Sequence, residues 1–382
     1  MRQLGVVLLC VAAFYSVIVP LRLEQHDPWW FMHIGKQFVV AGHSSSVISG
    51  LHWDGPIGYD GQYYFGLAAD PAHAKDYMGI ESGIVYSRVG YPAVIRATSA
   101  GSVSAMPYAM IVINLVAVLA GTFAAGRWLM RRDLPPWPAL LFGLSPGLIF
   151  AVTHDLTEPL GFALVAIAVL LFDRRLWLSA GVFALAALTR ETAVPFALGA
   201  AACLLFRDRR DWRRAIGFVV VSGLPLLLWR IVAGAYTHKP TQEVDHTGLR
   251  WLIPFHGFFP GWPFDSTHRV ILIAIIGPAM LAAAGAVVQL VHRRSPVTAL
   301  VLLANLLLYI VFLPRGVYQL YSDAARASIG VILAALYCLP AWWRRGLVPR
   351  LLVSADVIGW SLLWFLVVAW KYTFSSLGLI TT

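Results

Sequence analysis

Apolar stretches of about 20 residues, the length a helix needs to cross a bilayer, recur from one end of the chain to the other. That recurrence constrains the fold more than any motif does. Lipid offers the backbone no hydrogen bonds, so only helices and closed barrels span it. The runs are continuous rather than alternating apolar and polar, which selects helices over barrel strands. Composition agrees: 13% of the residues are charged and 59% are hydrophobic, against about 25% charged in a soluble domain. The fold class that follows is an all-α integral membrane protein.

Eleven transmembrane helices are expected, at roughly 4–23, 105–126, 136–153, 157–172, 176–189, 193–206, 215–235, 270–291, 297–313, 327–341 and 351–370. They make residues 1–382 a single polytopic membrane domain. Arg22-Leu23-Glu24 offers no small-residue cleavage site after the first run, so that run reads as an uncleaved helix. Pro146, Pro159 and Pro195 interrupt the central spans, which predicts broken or tilted helices facing protein rather than lipid. Cys10, Cys203 and Cys338 all lie inside apolar runs and read as buried packing residues.

The net charge of +10 needs no nucleic-acid partner. With the N-terminus in the cytoplasm, alternation places every short basic cluster on one side: Arg127, Arg131 and Arg132; Arg174 and Arg175; Arg207 to Arg214; Arg293 and Arg294; Arg344, Arg345 and Arg350. This is the positive-inside pattern. The opposite side receives a long first extracytoplasmic loop, 24–104, a second one, 236–269, and most of the acidic residues. Trp29, Trp30, Phe31 and Ile34 beside His33 and Lys36 predict an amphipathic interfacial helix over 26–40. Arginine far outnumbers lysine, which points to a GC-rich bacterial genome.

Five polar groups fall on that outer side. Asp54 and Asp60 sit in Asp-Gly turns among Trp53, Tyr59, Gln62, Tyr63 and Tyr64. Carboxylates framed by aromatic rings suit acid–base work on a sugar; solvated turns would show the same residues. Arg88, before Gly90-Tyr91-Pro92, has the fork geometry for a phosphate. His154, Asp155 and Glu158 mark the junction of two spans, where Asp155 and Glu158 would share a helix face or form a capping box. Arg190 and Glu191 lie between two spans with almost no loop, and charges at that depth face a cavity or each other. Arg315, with Asp323 and Arg326, follows the ninth span and supplies further phosphate ligands. His238, His246, His256 and His268 match no metal-ligand spacing.

Tyr59-Asp60-Gly61-Gln62-Tyr63-Tyr64, Arg88 with Gly90-Tyr91-Pro92, Asp155-Leu156-Thr157-Glu158-Pro159 and Leu188-Thr189-Arg190-Glu191-Thr192, taken in order, resemble the motifs of GT-C superfamily glycosyltransferases. The nearest in appearance are bacterial relatives of the GPI mannosyltransferases. The resemblance covers residues 1–200; beyond them it is one of topology only. It implies a polyprenyl-phosphate sugar donor, with mannose among the candidate sugars, and a glycan, lipid or protein acceptor. It further implies inversion and a base on the first outer loop, which falls on Asp60 with Asp54 as competitor. Arg88, Arg190, Arg315 and Arg326 would bind the donor phosphate; Gln62, Tyr63, Tyr91, His154, Asp155, Glu158 and Glu191 would bind substrate. Many GT-C members carry an Asp-X-Asp or Glu-X-Asp pair here. Asp54 and Asp60 are instead six apart, so no cofactor is expected and ligand spacing does not support a divalent metal. A transporter or flippase of lipid-linked glycans, or a glycan polymerase or ligase, are the alternatives. A transporter should hold its polar groups near mid-membrane within paired repeats, and no such halves are visible.

Overall fold

In long Ala-, Leu- and Val-rich runs each backbone N–H closes onto the carbonyl four residues back. The computed structural model describes residues 1–25, 27–53, 55–207, 209–241, 253–261, 265–292 and 295–343. It is 79% helical, with no strand among the described residues.

Five helical stretches are long and apolar enough to cross a membrane: Arg2–Leu23, Val103–Met130, Trp212–Thr237, Ser266–Val291 and Tyr321–Trp343. Four shorter apolar helices, Glu158–Phe172, Leu176–Thr189, Glu191–Phe206 and Pro296–Val311, lie on expected spans. Such helices belong to a membrane protein. The expected span 136–153 is instead two short helices, Leu140–Gly143 and Pro146–Thr153. The one at 351–370 lies outside the described residues.

The elements used below are α1 (Arg2–Gln25), α2 (Asp60–Ala69), α3 (Ser82–Ser87), α4 (Gly90–Thr98) and α5 (Met106–Met130). They continue with α6 (Pro146–Thr153), α7 (Glu158–Phe172), α8 (Leu176–Thr189), α9 (Val194–Arg207) and α10 (Trp212–Thr237). The last are α11 (Gly277–Val291), α12 (Pro296–Leu306) and α13 (Tyr321–Trp343). In its most apolar window α13 is 78% buried and forms the axis, whereas α10 is 22% buried and forms the rim. Ile216, Val220, Leu224, Leu227 and Ile231 of α10 are exposed. An apolar strip of that length needs lipid to cover it.

Pro146 and Pro159 occupy the first turns of α6 and α7, and Pro195 is the second residue of α9. Proline is tolerated there because those amides have no partner inside the helix, so these prolines start helices rather than break them. Ser145 caps α6, accepting from the Leu148 amide at 3.4 Å.

The first long loop is a folded unit. Met32, Ile34, Phe38, Tyr64, Phe65 and Tyr91 share a core with Met110 of α5 and with Phe150 and Leu156. The expected helix over 26–40 is replaced by a 3-10 turn, Pro28–Met32, and a short helix, Lys36–Ala41. His33, in the left-handed region at φ 48°, separates them. Phe31, Met32 and Ile34 are buried in protein, so their apolar faces serve the core and not the lipid interface.

The two ends of the bundle differ chemically. Arg131 donates to the Leu170 carbonyl at 2.6 Å, and Arg132 pairs with Asp173 at 3.3 Å. These contacts join the C-termini of α5 and α7. Trp177, opening α8, packs against Gly217 near the start of α10. The described Arg clusters of 127–132, 174–175 and 210–214 therefore share one end, while Glu158 and Arg190 lie at the other.

Candidate active site

Glu158 opens α7, where the free amides of a first turn favour an anion. Its side chain is 0% exposed. A charge so placed needs partners, and two arginines supply them. Arg326 Nε donates to Glu158 Oε1 at 2.5 Å, and Arg190 Nη1 lies 3.2 Å from the same oxygen. Arg190 Nη1 also donates to Thr157 Oγ1 at 3.1 Å. The two arginines are 9% and 12% exposed. Arg326 reaches Glu158 because α13 packs tightly on α6. A Cβ on Gly147 would lie 2.9 Å from the Ala325 carbonyl carbon, so a larger residue would push α13 away.

Arg326 carries the network outward. Its Nη2 donates to Asp60 Oδ2 at 2.8 Å, and its Nη1 to the Tyr59 hydroxyl at 2.8 Å. Tyr59 donates onward to Asp323 Oδ1 in a very short contact. Burial raises the Tyr59 phenol well above its ordinary value, so it stays a proton donor. Asp60 heads α2 and is 41% exposed. Its Oδ1 accepts no hydrogen bond among the described residues. One side of this carboxylate is therefore fixed by Arg326 and the other is open.

A second group adjoins. Arg88 grips Glu191 with both arms of its fork, at 3.0 Å from Nε and 2.6 Å from Nη2. Its Nη1 donates to the Tyr64 hydroxyl at 3.0 Å. Burial alone would raise the Glu191 carboxyl; Arg88, with Arg190 beyond it, holds it well below the usual carboxylate range. The registry depends on Gly90, where a Cβ would stand 2.5 Å from Thr189 Oγ1 and 2.9 Å from the Thr189 amide. The phenol of Tyr309 feels the charges of Glu191, Arg190, Arg230 and Arg88 together. Arg190 Nε and Arg230 Nε are both buried without a hydrogen-bond partner among the described residues.

Asp60, Glu158, Arg190 and Arg326 thus share one network, and Arg88 and Glu191 sit beside it. Other expected residues are placed differently. Gln62 is buried, its amide oxygen accepting from the Gly35 amide at 2.9 Å, so it staples the loop. Tyr91 is fully buried and accepts from Asn114 Nδ2 at 2.9 Å. His154 is buried, stacked on Phe150 at 3.7 Å and on His33 at 4.3 Å. Burial, with His33 adding to it, pushes its imidazole well below the ordinary histidine range. These three side chains are engaged in packing and do not line an open surface. Tyr63 is half-buried, edge-on to Phe38 at 5.7 Å. Arg315 is exposed at the start of Arg315–Gln319, with no ion pair to the network among the described residues. Asp54 lies outside the described residues, as do His246 and the Arg pair at 293 and 294.

Asp155 forms no capping box with Glu158. It adopts φ 51°, Thr157 takes the cap position of α7, and Asp155 is fully buried, its oxygens in no close hydrogen bond among the described residues and the Asn114 side chain beside it. Burial pushes its carboxyl well above the ordinary range. Arg230 and Tyr309 were not singled out in the sequence, and Tyr59 was noted only as an aromatic neighbour of Asp60. Arg230 carried a signal, a lone charge inside an otherwise apolar helix; the two tyrosines carried none. Among the described residues no group of three or more His, Cys, Asp and Glu side chains could hold a metal ion. No family model, curated protein or solved structure matches this chain.

Proposed function

We propose that this chain is a GT-C-type membrane glycosyltransferase, moving a sugar from a polyprenyl-phosphate donor to an acceptor hydroxyl with inversion. The observation that carries the reading is Asp60: a 41%-exposed carboxylate fixed on one side by Arg326 at 2.8 Å and joined through it to a buried arginine network. Asp60 Oδ1 takes the proton of the acceptor hydroxyl. The hydroxyl oxygen bonds to the anomeric carbon as the bond from that carbon to the phosphate oxygen breaks. The electron pair leaves on the polyprenyl phosphate, whose developing charge needs preorganised cations. Arg190 Nε and Arg230 Nε, buried and unpartnered, are the donors available for it.

A route for the lipid supports the same reading. Between α9 and α12 runs an apolar groove of about 750 Å³ of empty space, lined by Val194, Leu198, Val301, Leu308 and Tyr309. Tyr309 lines it, and its phenol feels the charges of Glu191, Arg190 and Arg230. The positive-inside rule puts the Arg-rich end in the cytoplasm. The site then faces the periplasmic or external side of a bacterial inner membrane. Mannose is one candidate sugar, and the acceptor is a glycan, lipid or protein.

The test is transfer in vitro from a panel of polyprenyl-phosphate sugars. Wild type should transfer from one of them, and Asp60→Asn should lose about 10²- to 10⁴-fold in rate, the usual worth of a general base. Arg230→Gln should weaken donor use more than acceptor use. Full activity in Asp60→Asn rejects Asp60 as base, and silence of wild type across the panel rejects the transferase.

A further inference from the structure

At the Arg-rich end, among α5, α7, α9, α12 and α13, lies a second cleft of about 590 Å³ of empty space, open solvent included. Its walls are apolar, with Val169, Phe172, Phe196 and Val301 among them. Arg132, Asp173, Thr298 and Tyr337 are the polar groups among its lining residues. Arg132 lies over the Trp128 ring at 3.8 Å and pairs with Asp173 at 3.3 Å. Tyr337 lines the cleft, and its buried hydroxyl has no hydrogen-bond partner. The charge of Arg132 reaches that hydroxyl, so the two groups belong to one spot.

The surroundings favour an anion. Burial, and then the charges of Arg174 and Arg127, depress the neighbouring Arg131, while Asp173 opposes them. Guanidinium groups that repel each other gain when a phosphate settles among them. Gly199 and Val301, where α9 and α12 pack closely, wall the cleft on its far side. Head-group chemistry and apolar walls thus meet in one cleft at the Arg-rich end. Basic pockets between transmembrane helices on the cytoplasmic side take acidic lipid head groups.

We infer that this cleft is a binding site for an acidic phospholipid of the bilayer. The phosphate sits at Arg132, a phosphate or ester oxygen satisfies the Tyr337 hydroxyl, and an acyl chain enters the apolar cleft. Arg132 is paired with Asp173, so the lipid phosphate takes the place of that carboxylate or shares the guanidinium with it. The site lies roughly 20 Å from Glu158, since α7 of 15 residues rises about 1.5 Å per residue between them. It stands whether or not the chain transfers sugars.

The experiment is native mass spectrometry of the full chain released from detergent, titrated with phosphatidylglycerol or phosphatidylcholine. Phosphatidylglycerol should be retained and phosphatidylcholine should not. Arg132→Gln should weaken retention about five-fold, one surface arginine's worth of attraction. Tyr337→Phe keeps the ring, and with it the fold; losing one hydrogen-bond donor should weaken retention about two- to five-fold. Arg214→Gln, at the same end but not lining the cleft, should change nothing. Equal retention of both lipids, equal loss in Arg214→Gln, or unchanged binding in Tyr337→Phe would each overturn the proposal in favour of diffuse surface charge.

Discussion

Replacing Glu158 by glutamine tests the centre of the network. The substitution keeps shape and one acceptor but removes the only charge that Arg326 Nε, at 2.5 Å, and Arg190 Nη1, at 3.2 Å, both face. Both arginines are nearly buried, so they cannot turn to water for compensation. Breaking a buried pair by removing one partner costs about 3–5 kcal/mol. The retained amide oxygen argues for the lower end, about 3 kcal/mol. At roughly 2 °C per kcal/mol for chains above 150 residues, the unfolding midpoint should fall by about 6 °C. Tryptophan fluorescence during heating in detergent would read this. The same scan on Arg326→Gln should give a comparable loss. The double variant should fall short of the sum by about 1–3 kcal/mol, because the two groups interact directly. A drop of under about 2 °C in Glu158→Gln, with additive behaviour in the double variant, would show that the arginines do not depend on this carboxylate.

Two further outcomes follow from the same geometry. Asp155 is buried, and burial outweighs the Asn114 side chain beside it and raises its carboxyl above the unfolded value. The folded form therefore holds its proton as pH rises, while the unfolded chain releases it once pH passes the ordinary value of 3.8. Stability from this group is present at low pH and lost on the way up. Asp155→Asn should thus be neutral near pH 3, below the ordinary value of 3.8, and increasingly stabilising as pH rises from there, read as a growing gap between the two melting temperatures; a gap that shrinks with pH rejects the neutral-acid assignment. Gly90→Ala should cost about 1–3 kcal/mol by overpacking, since the new Cβ would meet Thr189 backbone at 2.9 and 3.0 Å. It should also displace Arg88 from Glu191 and lower any transfer rate; an unchanged melting temperature would refute the tight contact.

Much of the fold is a local property, and local properties are legible in sequence. An apolar run must be helical in lipid whatever its neighbours do, because only its own carbonyls can serve its amides. That reasoning located α1, α5, α7, α8, α10 and α13. It erred where the context was not lipid. The run at 136–153 splits into two short helices beside Pro146. The aromatic stretch at 29–34 turns into the core of the first loop.

The site divides along the same line. Glu158, Arg190 and Glu191 are conspicuous in sequence because a charge at a helix end beside lipid requires a partner, and Arg230 was detectable by the same argument. Which partner each one finds depends on groups far apart along the chain. Arg326 and Asp60 are separated by 266 positions, and Arg88 and Glu191 by 103. Nor could residue type distinguish Asp60, half in water and open on one side, from Asp155, sealed in the interior. A helix records its own hydrogen bonds in the residues it spans, whereas the charge and solvation around a carboxylate come from whatever other helices pack against it, and only the assembled bundle determines those.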